Sequence, residues 1–364
     1  MINREIYFLY ANFAYKKTAD AIASRLKVCP EIWNVFLFKI NSESDFFEFI
    51  KKNSLENKII FFCCGGKLLN LCIDLLKKED ISCLKFSVFP GIVLRSQVDA
   101  FLTRVRADYV LMNSAADCDY YKKLCALMGL PFNGIEYGPS WIPRNTDVHL
   151  SNNRKTAVFW EQFHVPASLN GKKKLLKYLI CIANNNPDYS IYIKTRPLEN
   201  YKGQRLIELM NYVDEIPGNL KMLDVADERV SNDAAITIAI SSSAIMNGIY
   251  RKQVIFLLKN FSSKKYSGNF FAKSGLLRDA RSINFAESPP VVNRRWLEEN
   301  YLNPDEKIKN LLSAFSGEIK KVKKIEISRK KIFLILILML FNNFQNIIEG
   351  AKGVFNACKY LQRE

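Results

Sequence analysis

Two short stretches of this chain carry residue types suited to holding an anion. The first is Ser241-Ser242-Ser243, set between the apolar runs Ala235–Ile240 and Ala244–Ile249. That order predicts a buried strand, a tight hydroxyl-rich turn and a helix. The first turn of a helix presents unpaired N–H groups and the positive end of the dipole, which together attract phosphate. The second stretch is Lys194-Thr195-Arg196-Pro197, which closes the strand-like run Tyr189–Ile193. Arginine forks onto phosphate oxygens and lysine acts as a point charge. Two cations at one strand end and three hydroxyls at another suit a phosphorylated leaving group. The plainer alternatives are a helix cap, for which one serine suffices, and a solvated strand end stopped by proline.

Other polar residues stand where strands should end. Glu161-Gln162-Phe163-His164 follows the run Thr156–Trp160. A carboxylate there suits a contact with a ribose or a proton transfer, and Glu161 is taken as a candidate catalytic base. Asp99 is the second candidate. It follows Phe89-Pro90-Gly91 and Arg95, where glycine permits close backbone approach and proline fixes the turn. Asp117 is a further carboxylate. Asp117-Cys118-Asp119 has the D-x-D form but sits at a helix start, where acids complement the dipole. No metal site is expected: the chain has two histidines, His149 and His164, and no paired C-x-x-C. Neither a G-x-G-x-x-G nor a P-loop pattern is present.

Strand-like and helix-like runs alternate to place these residues. Ile6–Leu9, Val35–Phe38, Ile59–Phe62, Leu84–Phe89 and Tyr109–Met112 read as strands separated by helical spacing. Residues 139–153, rich in proline and asparagine, read as a linker. The alternation then restarts at Thr156–Trp160 and continues to Val254–Leu258. The expectation is an α/β chain of two Rossmann-like parallel-sheet domains, residues 1–145 and 154–318, with a ligand in the cleft between them.

The 364 residues carry a net charge of +17, which implies an anionic partner. Much of the clustered charge lies in residues 319–364. Lys320–Lys331 holds seven Lys or Arg and one acid, and the ten apolar residues Ile332–Phe341 follow directly. That run is half of what a spanning helix needs. Basic residues beside an apolar face describe an amphipathic helical tail lying on an anionic membrane surface. The competing view, that +17 signals nucleic-acid binding, predicts basic residues interleaved with exposed aromatics; nucleic acid is not the expected partner. Nine irregularly spaced cysteines fit a reducing cytoplasm.

The K-x-R-P strand end and the serine turn, on two α/β halves, resemble bacterial glycosyltransferases of the GT-B architecture. The likeness is nearest to those using CMP-activated acids, the bacterial sialyltransferases, with Arg196-Pro197 standing where that family has His-Pro. A wider likeness, to a group of uncharacterised bacterial glycosyltransferases, runs over roughly residues 55–300. It rests on Phe89–Gly91, Ala107–Ser114, Glu161-Gln162, Ile193–Pro197, Ser241–Ser243 and Asn269–Leu276. The resemblance implies an inverting, metal-independent glycosyltransferase without a cofactor. It would move a sugar, sialic acid from CMP-sialic acid, onto a surface glycan or lipooligosaccharide at the inner face of the cytoplasmic membrane. It implies donor contacts from Gln162, Lys194, Arg196, Pro197, Ser241, Ser242, Ser243, Ser274 and Gly275, with Arg196, Glu161 and Asp99 in catalysis. A transferase of the teichoic-acid type using CDP-polyol donors shares the two-sheet fold and is the alternative.

Overall fold

A computed structural model describes residues 4–29, 33–144, 155–162, 165–195, 205–223, 228–261, 270–287 and 289–316. They form two compact units.

The first unit runs β1 (Arg4–Tyr10), α1 (Phe13–Leu26), β2 (Trp33–Lys39), α2 (Glu43–Lys52), β3 (Ile59–Cys63), α3 (Gly66–Lys78), β4 (Leu84–Ser87), α4 (Val98–Leu102), β5 (Tyr109–Met112), α5 (Ala115–Met128) and β6 (Gly134–Glu136). Its strands form one parallel sheet in the order β2-β1-β3-β4-β5-β6. Alternate residues serve opposite faces, as the two-residue strand period requires. Ile6, Phe8 and Phe61 pack with Ala19, Ile22 and Leu26 of α1. Tyr7, Leu9, Ile60 and Phe62 pack with Phe46, Phe49, Leu69 and Leu76 of α2 and α3. Burial on both faces is why these strands read as continuous apolar runs. The helices start where side chains can cap them: Asn12, Ser42 and Ser114 accept from Tyr15 N, Asp45 N and Asp117 N. Gly129, at φ +68°, closes α5 in the left-handed conformation.

The second unit runs β7 (Thr156–Trp160), α6 (Leu169–Asn185), β8 (Ser190–Lys194), α7 (Leu206–Met210), β9 (Leu220–Leu223), α8 (Glu228–Asp233), β10 (Ile236–Ala239), α9 (Ala244–Tyr250), β11 (Val254–Leu258) and β12 (Leu277–Arg278). This sheet is also parallel, in the order β12-β11-β10-β7-β8-β9. The chain winds outward from β7 in one direction, through β8 and β9. It then returns to the other side of β7 through β10. Such a reversal opens a crevice at the strand C-termini. Here it falls between β7 and β10.

Two helices follow, α10 (Arg294–Asn300) and α11 (Ile308–Ala314). The chain reads from its sequence as keeping to the second domain through residue 318. Instead it rejoins the first unit at Glu298. Leu311, Ala314 and Phe315 enter the core formed by β1, β3 and β4. The Phe315 ring meets Trp33 at 5.0 Å and Phe86 at 5.4 Å. Polar contacts fix the same segment: Arg25 Nε donates to Asp305 at 2.7 Å and Lys307 Nζ to Glu136 at 2.9 Å. Gly138, at φ +107°, leaves room for the Leu302 carbonyl, which any side chain there would strike. The expected tail, residues 319–364, lies outside the described residues.

Candidate functional site

In the second unit the loops after β10, β7 and β8 start side by side. Trp160 and Lys194 are register partners, and the Glu161 N–H donates to the Lys194 carbonyl at 3.1 Å, extending the ladder past β7. On the other side Gln162 reaches Ser241. Its Nε2 donates to Ser241 Oγ at 3.2 Å, and Ser241 N–H donates to Gln162 Oε1 at 3.0 Å. This paired contact sits at the reversal of strand order, where doubly wound sheets bind ligands. Gln162 and Ser241 are 79 positions apart, and neighbouring strands bring them together. Ser241 Oγ is an acceptor in this contact, so its own O–H remains a donor.

The remaining residues of that edge divide by burial. Lys194 is buried. So is Glu161, whose Oε1 accepts from Leu206 N–H at 3.0 Å and so fixes the start of α7. Ser242 is buried, with Oγ accepting from Ala244 N at 3.2 Å. Ser243, half-buried, is the cap position of α9 and makes no side-chain cap bond. The helix behind the serines has seven residues, Ala244–Tyr250, close to the run read from the sequence, and a helix this short has a small dipole. Arg196, Pro197 and His164 lie outside the described residues.

Ser274 and Gly275 stand elsewhere on the sheet. They precede β12, which pairs with the last residues of β11. Ser274 is fully buried with Oγ accepting from Leu276 N, and Gly275, at φ +79°, turns the chain against the Val291 carbonyl. Among the described residues the polar contacts of Ser274 are local, with Leu276 and Asn293.

The first unit has its own cluster, at the C-terminal ends of β4 and β5. Phe89 is buried beneath the Arg104 guanidinium, 4.3 Å from its ring centroid. Arg104 also donates to Val88 O, Ala100 O and Tyr15 Oη, tying the loop after β4 to α4 and α1. Asn113 Nδ2 donates to Gly91 O at 3.1 Å. Asp117 occupies the first turn of α5, with its N–H on Ser114 Oγ. Burial pushes the Asp117 carboxyl up to about 6, against the opposing pull of the Ser114 hydroxyl and the Arg95 charge. Asp119, two residues on, is exposed, so the two acids of the D-x-D point apart. Asp99 is exposed on α4, while Val98, Phe101 and Leu102 turn inward. Among the described residues no three His, Cys, Asp or Glu side chains gather as metal ligands. The buried thiols Cys64, Cys83 and Cys125 are pushed up to about 12, away from thiolate chemistry.

The sequence did not mark Asn113 and Tyr120 as polar groups of this cluster. The available signal was modest: a polar pair, Asn113-Ser114, directly after a strand, and a tyrosine three residues beyond Asp117, on the same helical face.

Solved structures share this architecture. A UDP-N-acetylglucosamine 2-epimerase superposes with a TM-score of 0.56 at 10% identity, over 89% of this chain and 100% of that one. The Neisseria meningitidis UDP-GlcNAc 2-epimerase bound to UDP-GlcNAc gives 0.51 at 9% identity, over 93% and 100%. S. aureus MnaA with UDP gives 0.52 at 9% identity, over 94% and 98%. At such identities the likeness is one of fold, and it is the two-sheet GT-B-like fold. No curated protein matches the chain in sequence. Residues 44–315, which include strands of both sheets, match the family model described as "Putative glycosyltransferase (DUF6716)", and the chain belongs to that family.

Proposed function

We propose that the protein is an inverting, metal-independent glycosyltransferase using a nucleotide-activated sugar, CMP-sialic acid being the specific donor, with a surface glycan or lipooligosaccharide as acceptor. The observation that carries the proposal is the Gln162–Ser241 contact at the reversal point of the second sheet, with Lys194 one strand away. Family membership supports the reaction class. The nucleotide is supported by the fold relatives whose structures hold UDP or UDP-GlcNAc.

In such a transfer the acceptor oxygen bonds to the anomeric carbon as that carbon's bond to the donor phosphate breaks. The electron pair leaves with the phosphate, and the acceptor proton passes to a carboxylate. Lys194, Arg196 and the Ser241 hydroxyl are the groups assigned to the departing phosphate, and Pro197 and Ser243 are assigned to the same donor. Positive charge and donors fixed before the reaction stabilise that phosphate more as charge builds than in the ground state. Glu161 and Asp99 are the carboxylates marked for the proton, and Asp99 is the one open to solvent. The basic segment 319–364 would hold the enzyme against an anionic membrane near a lipid-linked acceptor. Among the described residues no helix is long and apolar enough to cross a membrane.

Nucleotide release with CMP-sialic acid, CDP-glycerol and UDP-GlcNAc offered in parallel tests the proposal. CMP release with a new sialoside supports it. Glycerol phosphate transfer from CDP-glycerol would replace the donor assignment. Interconversion of UDP-GlcNAc without an acceptor would move the chain to the chemistry of its fold relatives.

A further inference from the structure

Three polar side chains of the first unit follow one another at the end of β5 and over the first two turns of α5. Asn113, Asp117 and Tyr120 are each at least nine-tenths buried, at 5%, 4% and 5% exposure. Asn113 Oδ1 and Tyr120 Oη are fully enclosed and have no hydrogen-bond partner among the described residues. Their directions are constrained. The Asn113 amide is anchored by Nδ2 on the Gly91 carbonyl, which leaves Oδ1 as the end without a described partner. Tyr120 lies one turn beyond Asp117 on the same face of α5. Long helical side chains lean toward the helix N-terminus, so its hydroxyl runs back over the Asp117 turn. The edge of Phe101, at 5.3 Å between ring centroids, packs against the tyrosine ring. Arg95, half-buried in the loop above, exerts its charge on both Asp117 and Tyr120.

Leaving an enclosed acceptor and an enclosed hydroxyl unpaired destabilises the fold. A folded chain retains such groups where something outside the chain completes them. The chemistry of that partner follows from what is missing. Asn113 Oδ1 needs a donor. Tyr120 Oη can give or receive. The Asp117 carboxylate accepts, and Arg95 donates. Adjacent hydroxyl groups, each both donor and acceptor, satisfy this set. A phosphate does not, since it offers nothing to Asn113 Oδ1 or Asp117.

We propose that Asn113, Asp117 and Tyr120, with Arg95 above them, form a saccharide-binding subsite in the first unit, which receives two neighbouring hydroxyls of the acceptor sugar. This rests on the glycosyltransferase assignment only for the word acceptor; the hydroxyl chemistry stands without it. The raised carboxyl of Asp117 agrees, since a more basic carboxylate is a stronger hydrogen-bond acceptor when ionised.

The test uses the full chain and two neutral probes, methyl β-D-galactopyranoside and methyl α-D-glucopyranoside, with binding followed by saturation-transfer NMR. CMP binding and the thermal midpoint are measured in parallel. At least one glycoside should bind saturably. Tyr120→Phe and Asp117→Asn should each weaken it about tenfold, the worth of one good hydrogen bond. CMP binding should be unchanged in both, and the midpoint of Tyr120→Phe should hold or rise, because an unpaired buried hydroxyl is gone. Absence of glycoside binding to the unaltered protein overturns the subsite. So does equal binding by both variants, and a lowered midpoint in Tyr120→Phe with unchanged glycoside binding would identify an internal hydration site instead. If glycosides bind through Tyr120 while no nucleotide binds, the subsite stands and the transferase assignment falls. If nucleotide sugar is consumed and Tyr120→Phe leaves the acceptor KM unchanged, the transferase stands and the subsite falls.

Discussion

The two sheets end their strands differently. At the edge of the second sheet most polar groups answer one another: Gln162 meets both the N–H and the hydroxyl of Ser241, Glu161 meets Leu206, and Ser242 meets Ala244, while the Trp160 indole N–H meets no described residue. At the edge of the first, Asn113 Oδ1 and Tyr120 Oη meet no described residue. The first arrangement is rigid in advance, which suits stabilising a charge that appears only during reaction. The second stores unmet hydrogen-bonding capacity, which suits recognising a neutral polar ligand. The difference is one of degree: the second edge is mostly paired, and the first carries the unmet acceptor and hydroxyl.

Four substitutions can break or sharpen this contrast. The largest effect should come from Lys194→Ala, with a fall in transfer rate of about a hundredfold or more and circular dichroism unchanged. A wild-type rate would remove charge from the second edge. Next is Gln162→Ala, which strands the Ser241 N–H; chemical unfolding should show a loss of about 2 kcal/mol, together with weaker nucleotide binding. An unaltered midpoint would mean that the clamp is not structural.

Asp117→Asn should act in the other direction and depend on pH. The carboxyl of the folded chain titrates near 6, above its ordinary 3.8, and Arg95 is the charge that faces it. Between about pH 4 and 6 the folded chain therefore holds more protons than the unfolded one, and stability falls as pH rises through that window. The variant should gain on the parent across it, reaching on the order of 1–2 kcal/mol by pH 7.5, as read by thermal melts at several pH values. A difference independent of pH would contradict the raised carboxyl. The smallest effect is expected from Tyr120→Phe without ligand, a change between zero and about 1 kcal/mol in favour of the variant. A clear loss would mean that the hydroxyl is satisfied in the folded chain.

The layered α/β architecture was legible because strands buried on both faces leave runs such as Ile59–Phe62 and Ala235–Ile240. Strand order was not legible, since it depends on which edges pair. With it went the reversal point that joins Gln162 to Ser241. The strand, serine turn and helix over Ala235–Ile249 were legible, but three hydroxyls in a row do not say that Ser242 is the buried one. Asp117 was visible as a first-turn acid, but its isolation from water is a tertiary property. The apolar spacing of Ile308, Leu311, Leu312 and Phe315 announces a buried face without naming the sheet it covers, so the second domain was drawn to 318. Arg196 and Pro197, central to the family resemblance, lie beyond the described residues.

The homecoming of Phe315 has a practical corollary. The polypeptide passes out of the first unit once and back once, so no single scission releases that unit whole. A fragment stopped at Arg144 would bare Phe61, Phe86 and Trp33 and lose the carboxylate that meets Arg25. A synthetic peptide spanning residues 298–316, added in trans, should rescue its solubility. The seam is thus a natural place to split the molecule into two complementing halves.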